Sequence, residues 1–326
     1  MLRKARWWTS RGGKIECLLC PKLCVLPPGE TGFCGARKHE LGELSIPGYG
    51  MVMAESPDPI EKKPLYHFYP GETAWSIGFA GCNLRCPFCQ NHAIARASPD
   101  SGRFISPSRV IETAISSGAR IVAYTYSEPT IHFEYLMDCA YSASNSGLKN
   151  VLVTNGNLNS KPASELLSKM DGVNIDLKSW NPKYYEEMLG GNLKSVKSFI
   201  ETALALCWVE ITTLIVPGDN DGEDEIKSIS EWIASLSNDI PFHISAYHPA
   251  YKYSRPATSA SKMKQVYNES SKKLNFVYIG NLGIENSTRC SNCKHILITR
   301  SAYKVQMAMP GGKCPKCGVK VPGVFG

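Results

Sequence analysis

The sequence predicts an α/β fold: a closed or partial barrel of parallel βα units, with a small cysteine-rich module in front and a metal-stapled ribbon behind. Three observations predict it. Seven short apolar runs recur between residues 73 and 281, amphipathic segments of helical length lie between most of them, and eleven of the thirteen cysteines fall into three tight groups. Runs that read as buried on both faces, alternating with helices, make a parallel sheet. Six or seven such units suit a barrel, and a doubly wound sheet is the competing arrangement. On this reading the chain divides into residues 1–54, 55–285 and 286–326.

Composition narrows the setting. At 43% hydrophobic and 20% charged residues the chain is of globular type. No run of about 18 apolar residues occurs, and "MLRKARWWTS" lacks the apolar core of a signal peptide. The expected location is cytoplasmic, with no membrane partner. In a reducing compartment the cysteines read as metal ligands rather than a disulfide framework. The formal charge of +7 counts every thiol as neutral. Thiolates in two four-cysteine sites and one three-cysteine site bring the balance to about +2, so the charge gives little weight to a nucleic-acid partner.

Residues 1–54 are rich in Cys, Gly and Pro, as expected of a module stapled by metal. Cys17, Cys20, Cys24 and Cys34 fall within "CLLCPKLCVLPPGETGFC", where the Pro27-Pro28-Gly29 turn brings Cys34 back. Four thiols satisfy a closed zinc site, and a module this small needs a staple whatever its role. Zinc is the expectation here; an auxiliary iron–sulfur cluster is the alternative. The next stretch, "ESPDPIEKKPLYHFYPGE", carries four prolines and reads as an ordered crossing loop.

The strands follow as "TAWSIGFA", "RIVAYTY", "KNVLVTN", "GVNIDLK", "VEITTLIVP", "FHISAYHP" and "FVYIGN", with helices expected at 107–118, 130–146, 192–206 and 222–236. Glu128, Asn155, Asp176, Lys178 and His248 each come at or just after the end of an apolar run. In parallel α/β architecture that places them on the C-terminal rim, where ligand sites form. Cys139 and Cys207 stand alone in apolar runs and read as core. Behind the barrel, Cys290-x2-Cys293 and Cys314-x2-Cys317 are two knuckles with zinc-ribbon spacing. The intervening "HILITRSAYKV" supplies a strand. This site is expected to serve stability or partner docking rather than chemistry.

The loop "GFAGCNLRCPFCQN", after the first strand, places Cys82, Cys86 and Cys89 within eight positions. Zinc usually takes four protein ligands, or three and a water, and mixes in histidine when thiols run short. A four-iron cluster on three thiolates has one iron open to a small molecule. The C-x3-C-x2-C array with Phe88 before its last cysteine resembles the signature of radical S-adenosylmethionine (SAM) enzymes. With "AYTYSEPTIHFEY", "VTNGN", "NIDLKSW", "LIVPGDND", "HISAYHPAYK", "VYIGN" and the closing ribbon, nearly the whole chain resembles the radical SAM member of the AmmeMemoRadiSam system. That group is related to the activating enzymes of glycyl radical enzymes, of the pyruvate formate-lyase type.

The resemblance implies a partial (β/α) barrel of the radical SAM type and a [4Fe–4S] cluster on Cys82, Cys86 and Cys89. It implies SAM on the unique iron, cleaved reductively to methionine and a 5′-deoxyadenosyl radical that abstracts hydrogen from a substrate. It also implies cofactor contacts. Phe88 lies in the signature itself. Tyr126, Ser127, Glu128 and Pro129 occupy the place of the family's Gly-Gly-Glu-Pro segment, and Glu128 retains an acceptor for the SAM amine. Asn155 looks like a ribose or methionyl contact. Asp176 and Lys178 match the activating enzymes' Asp-x-Lys, with Lys178 facing the SAM carboxylate. His248 looks like the adenosyl-side histidine. One position departs from the activating enzymes: an arginine expected five residues before the proline of "VPG" is Thr212.

The implied partners are SAM, an electron donor such as flavodoxin or ferredoxin, and Memo-like and AMMECR1-like proteins. The substrate is a small molecule or a protein; activation of a glycyl radical enzyme is the alternative. A zinc-rich nucleic-acid-binding module is the rival from another class, and its basic candidates are "RKARWW" and "KHILITRSAYK".

Overall fold

The structure, a computed structural model, describes residues 3–301 and 304–326. Seven parallel strands lie side by side in chain order: Thr73–Phe79, Ile121–Thr125, Lys149–Thr154, Gly172–Asp176, Trp208–Ile215, Phe242–Ala246 and Val277–Gly280. Each matches one apolar run of the sequence. A doubly wound sheet reverses its strand order at a switch point; this sheet does not, so it is a barrel wall. It stays open, with Val277–Gly280 at one edge and an antiparallel extension at the other. The fold is therefore a partial barrel.

That extension corrects the reading of residues 55–72 as a loop. Met51–Pro59 is a nine-residue strand antiparallel to Thr73–Phe79, and it runs across position 54/55, where the sequence reading divides the chain. Its outer side meets only Arg103–Phe104, at Met51 and Val52. Pro57 and Pro59 thus lie on a stretch with no outer neighbour, where a missing N–H is tolerated.

The helices cover the outside with apolar stripes, such as Val196, Phe199, Ile200 and Ala203 on Leu193–Leu204. Their starts are locally encoded. Ser106 caps Pro107–Ser116 through the Arg109 N–H at 3.2 Å, and Asn192 caps Leu193–Leu204 through the Ser195 N–H at 2.9 Å. Ser160–Leu167 and Ala260–Ser270 are further helices that the sequence reading did not single out.

The two mouths of the barrel differ. The N-terminal mouth is plugged by the 60–72 segment: Ile60, Leu65 and Phe68 pack with Ala74, Ile121, Ala123 and Val151. Phe68 enters because residue 172 is glycine; a Cβ there would lie 3.0 Å from its ring. Buried Glu210 accepts the N–H groups of Tyr66 (2.9 Å) and His67 (2.7 Å) and bonds His243 Nε2 at 2.6 Å.

The C-terminal ribbon sits over this plug. Strands Asn286–Arg289, Ile296–Ser301 and Lys304–Met307 form its sheet. Arg300 donates to the Tyr66 carbonyl at 2.5 Å, His67 Nδ1 donates to the Pro322 carbonyl at 2.7 Å, and Val324 N–H donates to the His67 carbonyl at 2.8 Å. Cys290 and Cys317 sulfurs are 3.6 Å apart, as are those of Cys293 and Cys314. The four form a group consistent with a metal site.

The N-terminal segment forms two small antiparallel sheets, one with order Trp8–Arg11, Lys14–Cys17, Val25–Leu26. Arg37, 1% exposed, ties it to the barrel by an ion pair to Glu134 at 2.6 Å. Its guanidinium also reaches the Ile131 and Arg6 carbonyls, both at 3.1 Å.

Candidate active site

The other mouth, at the strands' C-terminal ends, holds a cavity of about 240 Å³. Cys82, Cys86 and Cys89 line it, together with Phe88, Tyr126, Ser127, Asn155, Asp176 and Lys178. Nine of the eleven residues that the sequence assigns to this centre therefore converge on one space.

The cysteine loop is held from three directions. Cys82 N–H donates to the Cys34 carbonyl of the N-terminal module at 3.1 Å, and Arg85 N–H to the Leu189 carbonyl at 2.7 Å. Asn83 donates to the Asn157 carbonyl at 2.7 Å. Gly81 has φ +93°, and a Cβ there would meet the Cys34 oxygen at 2.6 Å, so the turn and the docking both need glycine. Leu84 N–H (3.4 Å) and Asn155 Nδ2 (3.8 Å) point at the Cys82 sulfur. Such donors tune a thiolate–metal centre. Burial pushes the Cys86 thiol up to about 11, with Lys178 partly offsetting it. Binding a metal here must therefore expel protons.

Asp176 and Lys178 form a 3.0 Å pair, the one carboxylate and the one cation among the described residues lining the cavity. Burial works against the Lys178 charge, but Asp176 and the Cys86 sulfur outweigh it and hold the ammonium charged. A carboxylate beside an ammonium matches the two ends of an amino acid. Thr212 also lines the cavity, yet its hydroxyl donates to Asn174 at 2.9 Å, so it brings no charge in place of arginine.

Two of the expected contact residues lie off the cavity lining. Glu128 is 1% exposed and does not line the cavity. Its carboxylate accepts from Thr130 N–H (3.2 Å), Thr130 Oγ1 (2.6 Å), Thr154 Oγ1 (2.7 Å) and Asn155 N–H (2.8 Å). Burial raises its pKa, and these donors partly offset the rise. Three of these donors meet Oε1 and one, the Asn155 N–H, meets Oε2, so Glu128 holds the Asn155 backbone from beneath the cavity. His248 is exposed, and its ring donates from Nε2 to the Asn281 carbonyl at 3.0 Å; Asn281 lines the cavity in its place.

Tyr126 explains its own departure from glycine. It adopts φ +72°, the left-handed region. Its hydroxyl donates to Asp58 at 2.7 Å, and the Lys63 ammonium lies 4.6 Å from its ring centre. Room for the ring comes from Gly78, where a Cβ would stand 2.6 Å from Tyr126 Cδ2. Gln90, Asn91, Ser245 and Asn281 add polar groups to the lining and escaped the sequence reading. The Asn91 amide donates to the Tyr126 carbonyl at 2.6 Å.

Comparison with known proteins fits this geometry. Residues 76–233 match the model of the radical SAM superfamily. An uncharacterized protein of Methanocaldococcus jannaschii is 36% identical over 319 residues, covering 94% of this chain and 95% of its own. The chain belongs to the radical SAM superfamily. It is also 30% identical over 130 residues to a probable GTP 3′,8-cyclase of Methanococcus vannielii, covering 38% of this chain and 42% of that one. The crystal structure of Streptococcus suis SuiB bound to precursor peptide SuiA shares the fold, with a TM-score of 0.51 at 18% identity over 68% of this chain and 52% of that one.

As a radical SAM enzyme the chain is implied to carry a [4Fe–4S] cluster and SAM. The donor set fits both groups. Three thiols face one open cavity with amide donors on one sulfur, and a paired cation and carboxylate stand across from them. No helix among the described residues is long and apolar enough to cross a membrane.

Proposed function

We propose that Cys82, Cys86 and Cys89 hold the [4Fe–4S] cluster and that the cavity beside them binds SAM. The cluster, once bound and reduced, supplies the electron that splits the SAM sulfonium into methionine and the 5′-deoxyadenosyl radical that takes hydrogen from substrate. This chain's residues do the rest. Lys178 takes the SAM carboxylate, and Asp176 and the Ser127 hydroxyl lie where the amine enters. Asn155 orients the Cys82 sulfur, Glu128 fixes Asn155, and Phe88 with Leu214 keeps water out. The single observation that carries this reading is the convergence of the three cysteines with Lys178 and Asp176 on one 240 Å³ cavity.

The substrate class is that of the AmmeMemoRadiSam branch, a small molecule or a protein, with Memo-like and AMMECR1-like proteins as partners and a flavodoxin or ferredoxin as donor. The resemblance of nearly the whole chain to that branch favours it over activation of a glycyl radical enzyme. The ribbon quartet is proposed to hold structural zinc, since sulfurs 3.6 Å apart suit a tetrahedron with bonds of about 2.3 Å. The nucleic-acid reading has less unpaired charge to draw on, since Arg3, Lys4 and Arg6 pair with Asp138, Glu43 and Glu165. In its second segment Arg300 is buried against Tyr66, while Ala302 and Tyr303 lie outside the described residues.

Anaerobic reconstitution with SAM and reductant, assayed for 5′-deoxyadenosine, tests the proposal. Wild type should produce it, and Cys86→Ala should abolish it while the barrel stays folded by circular dichroism. Full 5′-deoxyadenosine production by Cys86→Ala sinks the assignment.

A further inference from the structure

Four cysteines of the N-terminal module serve no purpose in the site above. Cys17, Cys20, Cys24 and Cys34 line one small cavity, closed by Leu19, Phe33 and Ile131. The sequence favours zinc there, and the structure supplies a measure that the sequence lacks. Among the described residues, the ribbon quartet is the one set of three or more Cys, His, Asp or Glu whose ligand atoms all lie within 4.8 Å of one another. The N-terminal quartet does not close to that spacing, and neither do Cys82, Cys86 and Cys89.

The spacing separates two kinds of metal. Thiolates on one zinc stand roughly 3.8 Å apart, the edge of a tetrahedron with bonds of about 2.3 Å. Thiolates on a four-iron cluster stand roughly 6 Å apart, because each holds a different iron at its own corner. The ribbon has the first pattern. Cys82, Cys86 and Cys89 lack it, and on the reading proposed above they hold a cluster. The N-terminal quartet lacks it too.

The space between the sulfurs agrees. The cavity measures about 10 Å³, enough for one water-sized sphere. Four sulfurs closed on a zinc at about 2.3 Å leave no such space. We infer that Cys17, Cys20, Cys24 and Cys34 are the four ligands of a second [4Fe–4S] cluster, with no open iron, lodged directly behind the catalytic loop. The two ligand sets touch: the carbonyl of Cys34 accepts the N–H of Cys82, and Asn83 lines the N-terminal cavity while bonding Asn155 of the catalytic one.

Metal and acid-labile sulfide counts on full-length protein, purified anaerobically from cells replete in iron and zinc, test the inference. The Cys82→Ala/Cys86→Ala/Cys89→Ala variant should keep about four irons and four sulfides, with about one zinc in the ribbon. About two zinc and no iron in that variant overturns the inference, and so do two irons with two sulfides. Should the variant fail to fold, wild type decides: about eight irons to one zinc supports the second cluster, and about four to two overturns it. In reduced wild type, SAM should perturb one of two paramagnetic signals, because only the three-cysteine cluster has a free iron. The outcomes also separate this inference from the proposed function. Iron lost entirely in the triple variant, with 5′-deoxyadenosine made by wild type, defeats only the second cluster. Iron retained there, with no 5′-deoxyadenosine from wild type, defeats only the proposed activity.

Discussion

The two four-cysteine groups of this chain have the same ligand count and opposite designs. The ribbon group is tight, with two sulfur pairs 3.6 Å apart, and sits on knuckles over the plugged mouth of the barrel. The N-terminal group does not close to that spacing, lines a small cavity, and leans on the catalytic loop through the Cys34–Cys82 bond. The number of thiols therefore does not identify a metal. The separation that the backbone imposes on them is what the proposed second cluster rests on, together with what the site touches.

The largest expected effect tests that difference in position. Cys20→Ser should remove the staple of a module with little core of its own, freeing the catalytic loop from Cys34. We expect 5′-deoxyadenosine formation to fall at least about tenfold, in line with misplacement of reacting groups. Cys317→Ser in the ribbon should leave that rate within about twofold, because the ribbon lies at the far mouth. Equal losses from both variants would break the comparison.

A smaller effect concerns how the N-terminal module is tied down. Arg37 and Glu134 are 1% and 4% exposed and 2.6 Å apart. Arg37→Met strands a buried carboxylate and should cost about 3–5 kcal/mol in chemical denaturation. Replacing both, as Arg37→Met/Glu134→Gln, should recover part of that loss. A cost below about 1 kcal/mol for the single change would mean that the module is held by other contacts.

The smallest effect concerns the ribbon end and acid. Burial lowers the pKa of His67 to about 4, and likewise that of His132. Both rings are neutral when folded, and unfolded histidine titrates near 6.5. The unfolded chain binds more protons in between, so this stability is complete above about pH 6.5 and fades as pH falls toward 4. At pH 5 the loss should be about 2 kcal/mol for each ring. Thermal melts at pH 7.5 and pH 5 should show the drop, and His67→Gln should flatten it. An unchanged slope in that variant would remove His67 from the account.

The sequence was most legible where one signal decided one element. Seven apolar runs became seven strands because parallel strands are buried on both faces, and the Cys82 loop was readable because its thiols are adjacent in the chain. Met51–Pro59 was misread because proline marks loops unless the strand lies at an edge, and edges are a property of the sheet. Glu128 was assigned to the ligand by motif. Its Oε1 takes the hydroxyls of Thr130, on the short helix Pro129–His132, and of Thr154, at the end of another strand, and a one-dimensional reading does not bring Thr154 to it. Ser245 and Asn281 went unseen for a plainer reason: a hydroxyl near the end of a strand, or an amide just after one, looks like any strand-end or turn residue.

Tyr126 and Gly78 have a consequence for how this chain can diverge. The tyrosine stands where its relatives' motif has glycine, and the vacancy that accommodates its ring is the missing side chain of residue 78 on the neighbouring strand. The two positions are coupled sterically through residue 78. Placing alanine at 78 first drives a methyl into the Tyr126 ring at 2.6 Å, while glycine at 126 leaves Asp58 without its phenol partner. The dependence is one of order: a side chain at 78 fits only once residue 126 has lost its ring. Homologues of this chain should therefore carry the tyrosine only together with a glycine at the position of Gly78.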